Sequence, residues 1–282
     1  MEKIIGNLKY KLICSDLDKT LLVDNKIPDF NLEAIQKARK MGAKFVISTG
    51  RDIEIILHLL KQLNTENSEN EYSICCSGAK IYENKNKKII YINYLDNDIV
   101  KQAFEFGKKF SEIFIVFDTS DGVYVYNEAI LKKERDEYKY NDYNYKNMGK
   151  MEDLKDLKII RVVYTCKNKD YLNKILNEIK EIKIFDNKVD YYLTQNQFLE
   201  FNNLGVNKGE AMKWLCNYLN IDIKETIAIG DSYNDESMLK EAGLGACVKS
   251  ANDDIKNVSD YICEKDFFEG SVKEVIEKFV LS

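Results

Sequence analysis

The 282-residue chain has one proline, Pro28, one histidine, His58, and no Cys-x-x-Cys pair among its seven cysteines. His58 sits in Asp52–Leu63, a stretch of helical periodicity, and reads as a surface or half-buried helix residue. With its one histidine read that way, a histidine-activated nucleophile is hard to build, and with no paired cysteines a structural zinc site lacks ligands. Cys14, Cys75, Cys76, Cys166, Cys216, Cys247 and Cys263 lie mostly within apolar runs, as small buried hydrophobes do. No apolar run approaches the roughly 18 residues of a membrane span. The stretch Met1–Gly6 lacks the basic-then-apolar pattern of a secretory signal, so a cytoplasmic location is expected. The formal charge is −5, with lysines and acids intermixed, so no basic stripe offers itself to nucleic acid.

What the chain has is length for one or two domains with a well-buried core, and a clear rhythm. Lys9–Ser15, Lys44–Ser48 and Tyr72–Cys76 read as strands, with helical patterns over Asn31–Met41 and Asp52–Leu63 between them. That βαβαβ alternation predicts a parallel sheet covered on both faces. Ala79–Tyr94 then alternates apolar and polar residues like a hairpin. Beyond it the spacing predicts a helix over Asp96–Phe110 and strands over Ile113–Phe117, Gly122–Tyr126 and Leu157–Thr165. A helix over Lys169–Ile182 and closing strands at Lys183–Asp186 and Tyr191–Thr194 follow. Glu128–Asp156 is charged, tyrosine-rich and without a clear period. The βα rhythm returns at Asn207–Leu219 and Glu225–Ile229 and runs to the end. The expected architecture is α/β: a Rossmann-like parallel-sheet core, residues 1–83 and 196–282, interrupted by an inserted α+β cap domain over residues 84–195.

Chemistry concentrates at four places. Leu12-Ile13-Cys14-Ser15 is a buried-strand pattern that ends in Asp16 and Asp18. Two carboxylates this close repel unless a cation or proton separates them, and an all-oxygen set favours a hard ion such as Mg²⁺. A second apolar run, Ile227–Ile229, ends in Gly230-Asp231-Ser232-Tyr233-Asn234-Asp235. A third ends in Ser48-Thr49-Gly50-Arg51, and Val206-Asn207-Lys208-Gly209 puts a lysine at a helix start. In order, these segments resemble the four motifs of the haloacid dehalogenase-like hydrolases, and their spacing resembles the Cof-type phosphatase branch, which carries an α/β cap between the second and third motifs. The resemblance covers nearly the whole chain.

The resemblance implies a Mg²⁺-dependent phosphatase acting on a small phosphorylated metabolite, such as a sugar phosphate or a nucleotide-like compound. Asp16 is the expected nucleophile, forming an aspartyl-phosphate. Asp18 is the expected general acid and base, and its backbone carbonyl joins Asp16 and Asp231 on the metal. Asp235 would orient the metal's surroundings. Thr49, Gly50, Lys208 and Asn234 are the expected phosphate-binding residues. No nucleic acid or membrane partner is expected, and the chain is expected to be a monomer or weak homodimer.

Three positions depart from the family pattern. Lys19 stands where a small residue, often glycine, is usual. Ser77-Gly78-Ala79 replaces Asn-Gly-Ala, and Lys249-Ser250-Ala251 replaces Gly-Asn-Ala. Thirteen of the 18 tyrosines fall between Tyr82 and Tyr192, where strand propensity explains most of them. Arg135 and Arg161 are the only arginines of the expected cap. A phosphomutase on the same fold and a non-catalytic phosphometabolite sensor stay open as alternatives. A receiver-type switch would not account for the insertion or for Gly230–Asp235.

Overall fold

The computed structural model describes residues 8–132, 145–194 and 197–282. The chain divides into two compact units, Met1–Tyr91 with Asn207–Ser282, and Ile92–Val206.

The first unit begins with β1 (Leu12–Ser15), α1 (Asp29–Met41), β2 (Lys44–Ser48), α2 (Ile53–Gln62) and β3 (Tyr72–Cys75). All four β1 residues are buried, so the strand reads as a continuous apolar run rather than an alternation. In α1 the buried residues Asn31, Ala34, Ile35 and Ala38 recur at helical spacing, and Gly42 ends the helix in the left-handed region at φ 107°. The hairpin β4 (Lys80–Glu83) and β5 (Lys88–Ile92) follows.

The inserted unit contains α3 (Asn97–Gly107), β6 (Phe114–Thr119), β7 (Gly122–Tyr126), β8 (Tyr145–Met148), β9 (Ile159–Thr165), α4 (Lys169–Ile182), β10 (Val189–Thr194) and β11 (Phe198–Asn203). The first unit then resumes with α5 (Lys208–Leu219), β12 (Thr226–Gly230), α6 (Glu236–Glu241), β13 (Leu244–Cys247), α7 (Asp253–Val258), β14 (Tyr261–Ile262) and α8 (Ser271–Phe279).

The larger sheet has the order β14-β13-β12-β1-β2-β3-β4-β5. Strands β14 through β3 pair in parallel, and β4 turns back antiparallel on β3. The smaller sheet has the order β10-β11-β9-β6-β7-β8 and is antiparallel except for the β7–β8 pair. One of its faces packs on α3 and α4 through Ala103, Phe104, Leu172 and Ile175, against Phe117, Val162, Tyr164 and Phe201.

Two features differ from the expectation. The hairpin belongs to the larger sheet and β11 to the smaller one, so the insertion runs from Ile92 to Val206 rather than over residues 84–195. Strand pattern alone says nothing about which sheet a strand joins. Lys183–Asp186 is a turn, not a strand: Lys183 ends α4 in the left-handed region at φ 54°. The apolar pair Ile184-Phe185 imitates a strand because Phe185 is an anchor, fully buried against Phe106 and Phe201. The tyrosines Tyr82, Tyr124, Tyr126, Tyr145, Tyr164, Tyr191 and Tyr192 all lie in strands. All seven cysteines are buried. Among the described residues no helix is long and apolar enough to cross a membrane. Arg135 lies outside the described residues.

Candidate active site

In an open parallel sheet, the crevice for ligands lies beyond the strand ends where the order of strands reverses. Here that point falls between β1 and β12: the chain proceeds from β1 to β2 and β3 on one side, and from β12 to β13 and β14 on the other. Asp16 follows β1 and Asp231 follows β12. The register pairs Ser15 with Ile229, and the Asp16 N–H donates to the Ile229 carbonyl at 2.9 Å. The two acids are therefore brought side by side by strand pairing.

A tight turn comes next. The Leu17 carbonyl accepts from the N–H groups of Thr20, Leu21 and Leu22, and Lys19 takes φ 59° to allow it. The turn returns the buried Thr20 to the site, where its hydroxyl donates to Asp231 Oδ1 at 3.1 Å.

Lys208 opens α5, behind its cap Asn207, whose side chain accepts from the Glu210 N–H. The lysine is fully buried, and its Nζ donates to Asp16 Oδ1 and Asp235 Oδ1, each at 2.6 Å. The Oδ2 of Asp235 accepts from the N–H groups of Asp231 and Ser232 at 3.0 and 3.1 Å. Gly230 permits this approach: a Cβ there would lie 2.5 Å from Asp235 Cβ.

A strained turn helps to place Lys208. Cys76, Ser77 and Gly78 have φ of 50°, 54° and 100°, a conformation that costs a non-glycine residue roughly 1–2 kcal/mol. The Cys76 and Ser77 N–H groups donate to the carbonyls of Arg51 and Thr49. A Cβ on Gly78 would lie 2.3 Å from the Asn207 carbonyl oxygen. The turn thus links the end of β2 to the start of α5.

Oxygens of Asp16, Asp231 and Asp235 all lie within 4.8 Å of one another. Among the described residues, the cation paired with this group is Lys208, which contacts Asp16 and Asp235. Burial pushes the Asp16 carboxyl well above its ordinary range, and the neighbouring Asp235 adds to this, against the pull of Lys208. Burial, with Asp235 next, pushes Asp231 up to about 7. Burial opposes the charged form of Lys208, but Asp16 and Asp235 outweigh it and carry its pKa upward. The cluster therefore has a surplus of negative charge on hard oxygen donors, the environment that suits Mg²⁺.

The remaining expected residues lie as follows. The Asp18 carboxylate is not within the acid cluster and is paired with Arg51 instead. Thr49 is buried, and its Oγ1 accepts from the Arg51 N–H at 3.2 Å. Gly50 is half-buried between Thr49 and Arg51. Asn234 accepts from the Ser232 hydroxyl. Sequence reasoning assigns no role to Thr20, Arg51 or Gly78. Thr20 and Arg51 stand inside recognised motifs, but their partners lie 211 and 33 residues away in the chain.

The profile of the haloacid dehalogenase-like hydrolases matches residues 13–276. The chain belongs to that family. Its arrangement is that of the Cof-type branch, and its enzyme class is phosphatase. It is 31% identical to a phosphoglycolate phosphatase of Methanobrevibacter smithii, over 95% of this chain and 98% of that one. It is 27% identical to a 5-amino-6-(5-phospho-D-ribitylamino)uracil phosphatase of Bacillus subtilis, over 94% of each chain. A haloacid dehalogenase-like hydrolase from Bacteroides thetaiotaomicron superposes with a TM-score of 0.78 at 25% identity, covering 95% of this chain and 99% of that one.

The departures from the family pattern now have a physical reading. Lys19 and Ser77 occupy left-handed backbone, which glycine adopts freely and asparagine tolerates well. Lys19 is exposed, yet its charge still reaches Asp231 and opposes the rise there. Lys249 and Ser250 are exposed, and Ser250 bonds Asp266.

Proposed function

We propose that this phosphatase is Mg²⁺-dependent and releases phosphate from a small phosphorylated metabolite through a phosphoryl group carried on Asp16. The observation behind this reading is the buried Lys208 ammonium shared by Asp16 and Asp235, beside a third acid at the reversal of strand order. A phosphate dianion repels an approaching carboxylate, so attack needs positive charge fixed in advance. Lys208 supplies part of it, and Mg²⁺ held by Asp16, Asp231 and the Asp18 backbone carbonyl would supply the rest.

Lys208 engages Oδ1 of Asp16. As the Asp16 O–P bond forms, the ester P–O bond breaks and its electron pair leaves with the ester oxygen. That oxygen takes the proton of Asp18. Water then attacks the aspartyl-phosphate, gives its proton to Asp18, and frees inorganic phosphate with Asp16 regenerated. Thr49 and the Gly50 amide would donate to phosphoryl oxygens, with Asn234 at the opposite motif. Asp235 fixes Lys208 and the Gly230–Ser232 turn.

The relatives' names point to phosphoglycolate and a ribitylaminouracil phosphate as starting substrates. The test is phosphate release from these two, from ribose 5-phosphate and hexose 6-phosphates, and from flavin mononucleotide, with Mg²⁺ or with chelator. The Asp16→Asn variant serves as the blank. Release that needs Mg²⁺ and vanishes in the variant supports the reading. Release that persists in the folded variant at near wild-type rate removes Asp16 as nucleophile. Recovery of a positional isomer of the substrate, with no free phosphate, points to a mutase instead.

A further inference from the structure

Arg51, in the second motif, has no role in the mechanism above. Its Nε donates to Asp18 Oδ2 at 3.1 Å and its Nη2 to Asp18 Oδ1 at 2.5 Å. This is a two-point fork, in which the guanidinium and carboxylate planes fix one another. Its third nitrogen, Nη1, donates to Asn25 Oδ1 at 2.8 Å. The backbone beneath is held as well: the Arg51 N–H donates to Thr49 Oγ1, and the Arg51 carbonyl accepts from the Cys76 N–H.

The next residue is anchored from the other side. Asp52 caps α2 and accepts from Lys80 Nζ at 2.5 Å and from the Tyr82 hydroxyl at 2.9 Å. The arginine is thus mounted on a braced segment, with each of its three nitrogens engaged. Three of its five N–H donors are committed in this way, so Asp18 and Asn25 set its orientation. Asp18, by contrast, lies in a turn whose Lys19 backbone is left-handed, and its side chain is 30% exposed. A short carboxylate on such a turn has several rotamers unless something selects one.

We propose that Arg51 is the positioning residue for Asp18, holding its carboxyl in one orientation for proton transfer to the leaving oxygen. The proposal rests on the mechanism given above. The fork uses one lone pair of each Asp18 oxygen and leaves the others to face the reacting groups. Lysine could neutralise Asp18 but could not set its plane, because an ammonium is a point charge.

The effect has a signature that a structural role lacks. An alkoxide is a poor leaving group and needs the proton of Asp18; 2,4-dinitrophenolate leaves without one. The quantity to measure is kcat/KM, which covers the steps up to formation of the aspartyl-phosphate. It is measured with Mg²⁺ for 2,4-dinitrophenyl phosphate and for the fastest alkyl phosphate of the panel above. For Arg51→Ala, the alkyl ester should slow by about 10²-fold, the lower end of what general acid catalysis contributes. The dinitrophenyl ester should change by less than about threefold. Arg51→Lys should fall between Arg51→Ala and wild type on the alkyl ester. In an Asp18→Asn background, Arg51→Ala should cause no further loss, since a group acting only through Asp18 has nothing left to act on.

Equal slowing of both esters would mean a phosphate contact or a general structural role, and would overturn the proposal. So would a faster alkyl reaction, or an additive loss in the double variant. Failure of the wild-type chain to release phosphate from either ester would instead overturn the hydrolytic reading itself. A thermal melt of each variant shows that the comparison is made on folded protein.

Discussion

Lys208 and Arg161 are each a buried cation between two carboxylates, one in each unit of the chain. Lys208 holds Asp16 and Asp235. Arg161 holds Asp118 and Glu200, and Thr194 donates a further hydrogen bond to Glu200 at 2.9 Å. The difference lies in what carries the groups. Arg161, Asp118 and Glu200 stand on three neighbouring strands, and Asp118 is the registered partner of Arg161 across β6 and β9. Their ion pairs run across a sheet and tie its strands together. The Lys208 group stands past the ends of two strands and at the first residue of a helix, with a third acid, Asp231, beside it. Ion pairs that run across a sheet hold its strands together; a third acid gathered beyond strand ends leaves further negative charge available to a ligand.

Four experiments test this contrast. The largest effect is expected for Lys208→Met. It leaves buried acids without a cation, which costs roughly 3–5 kcal/mol of stability. It also removes a charge from the transition state, so kcat in folded protein should drop by about 10²–10³. Denaturant melts and phosphate release measure the two separately; a normal kcat would place Lys208 with Arg161 as a structural cation. Arg161→Met should cost a similar amount of stability and leave Mg²⁺-dependent hydrolysis of 2,4-dinitrophenyl phosphate within about threefold of wild type. A large loss of activity in folded protein would make Arg161 part of the reaction.

The third experiment uses pH. Asp231 titrates at about 7 in the folded chain, against an ordinary value of about 3.9 in the unfolded chain. Between these values the folded state binds more protons than the unfolded one. Metal-free stability therefore falls as pH rises from about 4 to about 7. Mg²⁺ needs the ionised carboxylate, so the rise in Tm that it causes should be small at pH 5.5 and larger at pH 8. A Mg²⁺ effect that does not grow with pH would count against Asp231 as its ligand. The smallest effect is expected for Lys19→Gly. Relief of the left-handed backbone should stabilise the fold by about 0.5–1 kcal/mol in a denaturant melt, part of the gain being lost to the entropy of glycine in the unfolded chain.

Part of this contrast is legible in the amino-acid order. The apolar runs that end in Asp16, Ser48 and Ile229 signal buried strands with chemistry at their tips, because a strand buried on both faces has no polar alternation to disguise it. Helix Lys169–Ile182 is read to the residue, since its apolar positions recur at helical spacing and Asn168 caps it. The edges of the insertion are less legible. Lys88–Ile92 and Phe198–Asn203 have the same strand character, and only pairing assigns one to the larger sheet and the other to the smaller. Phe185 misleads for a related reason: an apolar residue that anchors a turn looks like one that lines a strand.

The amino-acid order by itself determined the local elements, the order of the four motifs and the types of group they bring: carboxylates, a lysine, hydroxyls and glycines. These follow from periodicity and side-chain chemistry, which act over a few residues. The tertiary structure alone decided which groups meet. Asp16 reaches Lys208 across 192 positions, Thr20 reaches Asp231 across 211, and Arg51 turns to Asp18 rather than into the acid cluster. Such pairings depend on strand order and on backbone turns such as Cys76–Gly78, which no local pattern encodes. The rise of Asp231 toward 7 likewise belongs to the fold, because burial and the nearness of Asp235 exist only once β1 and β12 lie side by side.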